Sequence, residues 1–179
     1  WSKRKKKMTR SVFKFILHFF ILTIIQQFVL GNIFLFNMVH PYIYLSLILM
    51  LPININRYLL ILIALAYGFV MDMLSFSYGL HTCTMVLLGF LRPYLMRLFV
   101  SEEQIEQNIE VHLTSLGARR YLFYLLIMLF IHHSLLNFLQ VFSFREYFLT
   151  FYKTMLNVLV SILIIVVYDL TFFVKTRTN

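Results

Sequence analysis

Charge is scarce in this chain, and negative charge is scarcest: 13% of the 179 residues are charged and only seven are acidic. An ordinary soluble domain is roughly a quarter charged, so this composition does not supply a water-facing surface. Cysteine is reduced to Cys83, inside an apolar run. That excludes a disulfide framework, a Cys-x-x-Cys pair and zinc spacing, and Cys83 reads as a small apolar filler. There is no P-loop, no Gly-x-Ser-x-Gly, no His-Glu-x-x-His, and no cluster of intramembrane carboxylates fit for acid-base work. An enzyme is therefore not expected, nor a metal site or a cofactor. Repeats and low-complexity linkers are absent too, which leaves one domain.

What the chain has is apolar length. Hydrophobic residues make up 61% and aromatics 18%, with a mean hydropathy of +0.83. The apolar residues fall in runs near the 20 residues that span a bilayer. Six helical spans are expected: residues 11–30, ending at Gly31-Asn32; a short second span over 42–51, opened by Pro41 and reaching back toward Phe34; 58–74; a fourth from the tight turn at 75–79 to near Phe99; 121–140; and 148–173. Helices satisfy their own backbone hydrogen bonds, so six such runs mean helices rather than open sheet. The first run is too long for a signal-peptide core, and no small-residue cleavage site follows it. Met8 is a candidate natural start, with residues 1–7 then a foreign remnant or part of a longer leader.

The formal net charge of +9 would suggest nucleic acid in a soluble protein, but the cations sit at the ends of the apolar runs without interleaved aromatic platforms. With both termini in the cytoplasm, the inner segments hold Lys3 to Lys7, Arg10, Lys14, Arg57, Arg92, Arg97, Arg119, Arg120, Lys175 and Arg177, leaving only Arg145 and Lys153 outside. The positive-inside rule supports that orientation. The organisation is a basic terminus at 1–10, a transmembrane domain at 11–173 with an acidic cytoplasmic loop at 100–120, and a tail at 174–179. In the loop, Ser101 and Gln104 have capping-box spacing, and a short helix over 101–113 is expected. Its stripe of Ile105, Ile109 and Leu113 suits a protein partner or the membrane domain itself, since its glutamates are repelled by an anionic leaflet.

A series of short motifs carries a resemblance. His40-Pro-Tyr-Ile-Tyr, Gly68-Phe-Val-Met-Asp72, Tyr78-Gly-Leu-His81, Arg92-Pro93, Leu116-Gly117 before Tyr121-Leu-Phe-Tyr124, His132-His133 and Val141-Phe-Ser-Phe144 together resemble MreD, the small membrane protein of the bacterial rod-shape (elongasome) system. The likeness runs over nearly the whole chain from Met8. It implies a six-helix fold similar to the substrate-binding subunits of vitamin importers, used as a scaffold in the cytoplasmic (inner) membrane. The implied partner is the transmembrane segment of MreC, and through it RodA, its transpeptidase and MreB. A vitamin-binding transporter subunit is the alternative, because that fold is shared. Such subunits usually dock through an alanine-rich first span, whereas residues 13–30 contain neither alanine nor glycine.

The candidate residues follow. Asp72, near the outer end of span three, must face water, the bundle interior or a partner charge; a hydrogen bond to His81 across Gly79, or capping of span four, would fix the hairpin, with partner contact and proton transfer as the other readings. Arg92 either snorkels to the interface or pairs with Asp169, and Pro93 frees a carbonyl and permits a kink. A structural Arg92 to Asp169 contact is expected. His132 and His133 project about 100° apart, which favours interhelical hydrogen bonds over metal. Ala64 and Gly68 place small residues on one face, where another helix, internal or from a partner, can approach closely.

Overall fold

The computed structural model describes residues 2–32, 40–141 and 147–173, and the side chains within 13–31, 40–140 and 148–173. The outer segment at 33–39, Arg145, most of the Val141-Phe-Ser-Phe144 motif, the tail at 174–179 and the side chains of the basic cluster from Lys3 to Arg10 lie outside the described residues. Among the described residues every regular element is helical. In chain order these are α1 (Ser2–Ile24), α2 (Ser46–Leu49), α3 (Arg57–Ser75), α4 (Leu80–Met96), α5 (Glu102–Glu106), α6 (Leu113–Leu116), α7 (Ala118–Val141) and α8 (Tyr147–Phe173). Three stretches are long and apolar enough to cross a membrane: Arg57–Ser75, Ala118–Gln140 and Phe148–Phe173.

The bundle has an apolar core, into which polar side chains are also gathered, and large apolar side chains on its exterior. On α8 the buried face carries Thr154, Asn157, Ser161 and Asp169, while Leu159, Leu163, Val167 and Leu170 are exposed. On α1 the residues Phe13, Ile16, Leu17, Phe20 and Ile24 recur at helical spacing on the exposed side. Polar groups gathered inward under an apolar exterior are what a lipid solvent selects. Cys83 belongs to this exterior: it is exposed on α4 and fills no core position.

The closest helix pair is the α3–α4 hairpin. Asn56 caps α3 by accepting from the Tyr58 N–H at 2.9 Å. At the far end the chain reverses through left-handed Phe76, Tyr78 and Gly79. The small residues seat α4 directly on α3. A Cβ on Gly68 would lie 2.6 Å from Thr82 Cα and 3.0 Å from the His81 carbonyl oxygen, and one on Gly89 would lie 3.0 Å from the Ala64 Cβ. The Ala64 and Gly68 face is therefore engaged inside the chain.

Two expected elements are shorter in the structure. The second span is helical only over Ser46–Leu49, and residues 43–50 are buried on all sides. The helix expected over 101–113 keeps its capping box but ends at Glu106. Asn108 turns left-handed, and the chain then pairs with the segment after α2, Ile53 N–H donating to the Ile109 carbonyl (3.1 Å) and Val111 N–H to that of Met50 (3.3 Å). That pairing lays Ile109 and Leu113 against the membrane domain, so the apolar stripe packs on its own chain.

A branched side chain at position 68 should prevent the hairpin from closing, because the nearest atoms are backbone. Gly68→Val is expected to destabilise the protein by about 3 kcal/mol or more, read as a lowered melting transition in mild detergent. Wild-type melting would mean that the helices are not in this contact.

Candidate functional site: a polar core around an irregular segment

Residues 40–53 run through the bundle with a single turn of α-helix, so most of their backbone groups need partners from elsewhere. In a membrane interior an unpaired amide or carbonyl costs several kcal/mol. Side chains from four helices meet the need. Asn157 accepts from the His40 N–H (2.8 Å) and Ser161 from that of Tyr42 (2.9 Å), both on α8. Gln26 uses both ends of its amide, donating to the Pro41 carbonyl (3.2 Å) and accepting from the Ile43 N–H (2.9 Å). Gln26 lies in a π-helical turn, Ile25–Val29, that interrupts the first helix, and it is buried. At the Pro52 end of the segment, Arg92 donates to the carbonyls of Leu49 (3.4 Å), Pro52 (3.4 Å) and Leu51, and the Tyr124 hydroxyl donates to Leu49 (3.2 Å).

The expected contact of Arg92 with Asp169 is not formed. The guanidinium, 1% exposed, is held by backbone carbonyls instead. Asp169 accepts from His112 Nδ1 (2.9 Å) and from the Leu113 N–H (2.7 Å). The physical reason is that the two helix ends left without partners are nearer. Arg92 supplies donors where α2 ends in unpaired carbonyls, and Asp169 supplies an acceptor where α6 begins with unpaired amides.

Asp72 is the most heavily bonded side chain. Its Oδ1 accepts from Ser77 Oγ (2.6 Å) and from the His81 N–H (2.9 Å), and lies 3.1 Å from His81 Nδ1. Its Oδ2 accepts from the Thr82 N–H (2.8 Å) and hydroxyl (2.5 Å). One carboxylate thus caps the first turn of α4 from the last turn of α3, where the amides of α4 have no helical acceptor. Ser77 donates to Asp72, so its oxygen is free to accept from His81 Nδ1 at 2.7 Å. These bonds fill the carboxylate's acceptor positions, which suits a fixed anchor better than a proton carrier. Asp72→Ala is expected to remove about 2 kcal/mol of stability, and a detergent melting curve superimposable on the wild type would rule out the anchoring role.

The two adjacent histidines point to different partners. His132 Nε2 meets the Tyr44 hydroxyl at 2.9 Å. His133 carries its proton on Nδ1, because that nitrogen lies 2.8 Å from the Leu129 carbonyl, leaving Nε2 to accept from Ser161 at 3.2 Å. With Tyr42, Tyr44 and His81 they form a compact ring cluster, centroids 5.3–6.0 Å apart. Among the described residues no three His, Cys, Asp or Glu side chains form a group that could hold a metal ion.

Asn157, Ser161, Tyr44 and the His112–Asp169 link were not singled out from the sequence. A signal existed for two of them: Thr154, Asn157 and Ser161 recur at helical spacing in an otherwise apolar run. The His112–Asp169 pair, 57 residues apart, left none. His112 lies outside the long helices, between Asp169 and Glu110, the latter at 3.3 Å. Burial pushes its pKa down, but the bonds to Asp169 and Glu110 outweigh that, and it stands above its ordinary 6.5. The bond from His112 in turn holds Glu110 below the usual carboxylate value.

A histidine whose folded pKa is raised adds stability below its unfolded value and loses it as pH rises through the folded one; a carboxylate whose pKa is lowered loses its contribution as pH falls through that lower value. Melting in detergent should therefore weaken as pH climbs above about 6.5. His112→Gln should flatten that alkaline decline, measured by melting at several pH values; an unaltered profile would place the titration elsewhere.

Comparison of the chain with protein-family profiles, with curated proteins and with solved structures finds no match in any of the three.

Proposed function

We propose that this chain is a noncatalytic membrane scaffold of the MreD type, with six passes through the bacterial inner membrane and both termini in the cytoplasm. In this reading it binds the transmembrane segment of MreC and thereby helps to organise RodA, its transpeptidase and MreB around peptidoglycan synthesis. The observation that carries the proposal is where the polar chemistry goes. Asp72, Gln26, Arg92, Asn157, Ser161 and Asp169 all bind the chain's own backbone, while α1, α3 and α8 present leucine and phenylalanine faces outward.

The count of six takes the three long apolar helices together with α1, α4 and the segment at 40–53. At 1.5 Å per residue, the 17 residues of α4 reach about 25 Å, close to a hydrocarbon core. Partner recognition falls to the exposed ridges of large side chains, because Ala64 and Gly68 are closed off by α4.

The transporter-subunit alternative needs a ligand cavity. A pocket between α1, α2 and the inner end of α8, lined by Lys14, His18, Glu110 and His112 among others, measures about 80 Å³, whereas small-molecule sites usually start near 300 Å³. The decisive experiment is a pull-down of the tagged chain from its native membrane in mild detergent, with partners identified by mass spectrometry. Recovery of MreC is expected. Recovery of an energising ATPase module without MreC would replace the scaffold with a transporter subunit.

A further inference from the structure

On the outside of the α3–α4 hairpin, between the first turn of α3 and the last turn of α4, lies a groove of about 230 Å³. Its rim carries Arg57 and Arg97 with Tyr58 and Tyr94 beside them, and its apolar wall includes Ile61 and Phe90. No acidic side chain lines it. Both arginines are exposed, and neither makes a hydrogen bond or ion pair with any described residue. Tyr58 and Tyr94 are exposed as well, at 78% and 51%, at the helix ends where tyrosine rings meet a membrane–water interface.

The position of Arg57 is the informative detail. It is the first residue of α3, where the helix dipole is positive and a cation is disfavoured. Two unpaired guanidiniums around the amide end of a helix make a strongly positive spot with no counterion from the protein. An anion seated there would be favoured by both arginines, while the amide end of α3 and the carbonyl end of α4 act against each other. The remaining lining is Ile61, Gly89, Phe90 and Pro93, so the complementary ligand carries a negative group and a hydrocarbon part.

We propose that this groove is a binding site for an anionic glycerophospholipid of the cytoplasmic leaflet, its phosphate held between Arg57 and Arg97 and an acyl chain lying along Ile61 and Phe90. The site would fix the depth of the hairpin in the bilayer and tie the scaffold to anionic membrane. The proposal rests on the membrane topology given above but not on the identity of the protein partner.

The test uses the full chain in mixed micelles containing dioleoylphosphatidylglycerol or dioleoylphosphatidylcholine, with retained lipid counted by native mass spectrometry. The wild type is expected to prefer the anionic lipid by roughly thirtyfold, the worth of two cations at a membrane surface. The double variant Arg57→Gln, Arg97→Gln should lose that preference with an unchanged melting transition, since both side chains are exposed and unbonded. Equal retention of the two lipids by the wild type, or a preference that survives in the double variant, overturns the site. Displacement of the anionic lipid by inorganic phosphate alone also overturns it, because the site would then be a soluble-anion site. A failed pull-down of MreC alongside a lost lipid preference in the double variant would sink the scaffold and leave the lipid site standing; the converse pair would do the opposite.

Discussion

The constraint on which this structure depends is that backbone amides and carbonyls cannot be left unpaired where there is no water. Among the described residues the three long apolar helices, α3, α7 and α8, meet it within themselves; the segment at 40–53 does not. Pro41 has no N–H to give, and only one helical turn, Ser46–Leu49, follows before the chain exits at Pro52. A large share of the buried polar groups is arranged around that deficit. Asn157, Ser161 and Gln26 close the end near His40, and Arg92 with Tyr124 closes the end near Pro52. The buried arginine makes sense in these terms. Its two terminal nitrogens donate to three carbonyls at and just after the end of α2, its Nε finds no partner among the described residues, and carbonyl dipoles rather than a carboxylate offset its burial.

The same logic joins the two halves of the chain. Asp72 ties α3 to α4 through the amides of His81 and Thr82, and Asp169 ties α8 to the loop that returns from α4. Both are acids at helix starts, where the dipole favours a negative charge. The loop then crosses under the irregular segment, pairing Ile109 with Ile53 and Val111 with Met50. That end of the bundle is thus closed by a strap made from its own acidic loop, which places the His112–Glu110 contact at the edge of the bundle.

Much of this was legible in the sequence because lipid imposes simple rules. The apolar runs, the tight turn before Gly79 and the capping box at Ser101 are local patterns, and the small residues at Ala64 and Gly68 marked a close helix contact while leaving open whether the neighbour was internal or a partner. The Asp72 to His81 link was legible because the two residues flank one turn. The pairing of Arg92 with Asp169 rested only on similar depth and opposite charge. Depth fixes one coordinate out of three, and it ignores the competing claim of helix ends on both side chains. The short second span misled for a related reason: hydropathy measures whether a segment is apolar, not whether its neighbours can supply its hydrogen bonds. Residues 43–50 are buried and, apart from Ser46, largely apolar, and Gln26, Arg92 and the α8 polar stripe supply the hydrogen bonds that a mostly non-helical course needs.

A bundle stitched in this way has little freedom to rearrange about its centre. Moving the segment at 40–53 would break bonds to the π-helical turn after α1 and to α4, α7 and α8 at once, each leaving an unpaired group in an apolar interior. Alternating exposure of a central site, which transport requires, would have to break and remake several of them together. Fixed exterior faces impose no such penalty. Recognition of a helix by the ridges of α1, α3 or α8, and of lipid by the rim of the α3–α4 groove, leaves every interior bond intact. The arrangement of polar groups therefore favours functions carried out on the outside of the bundle.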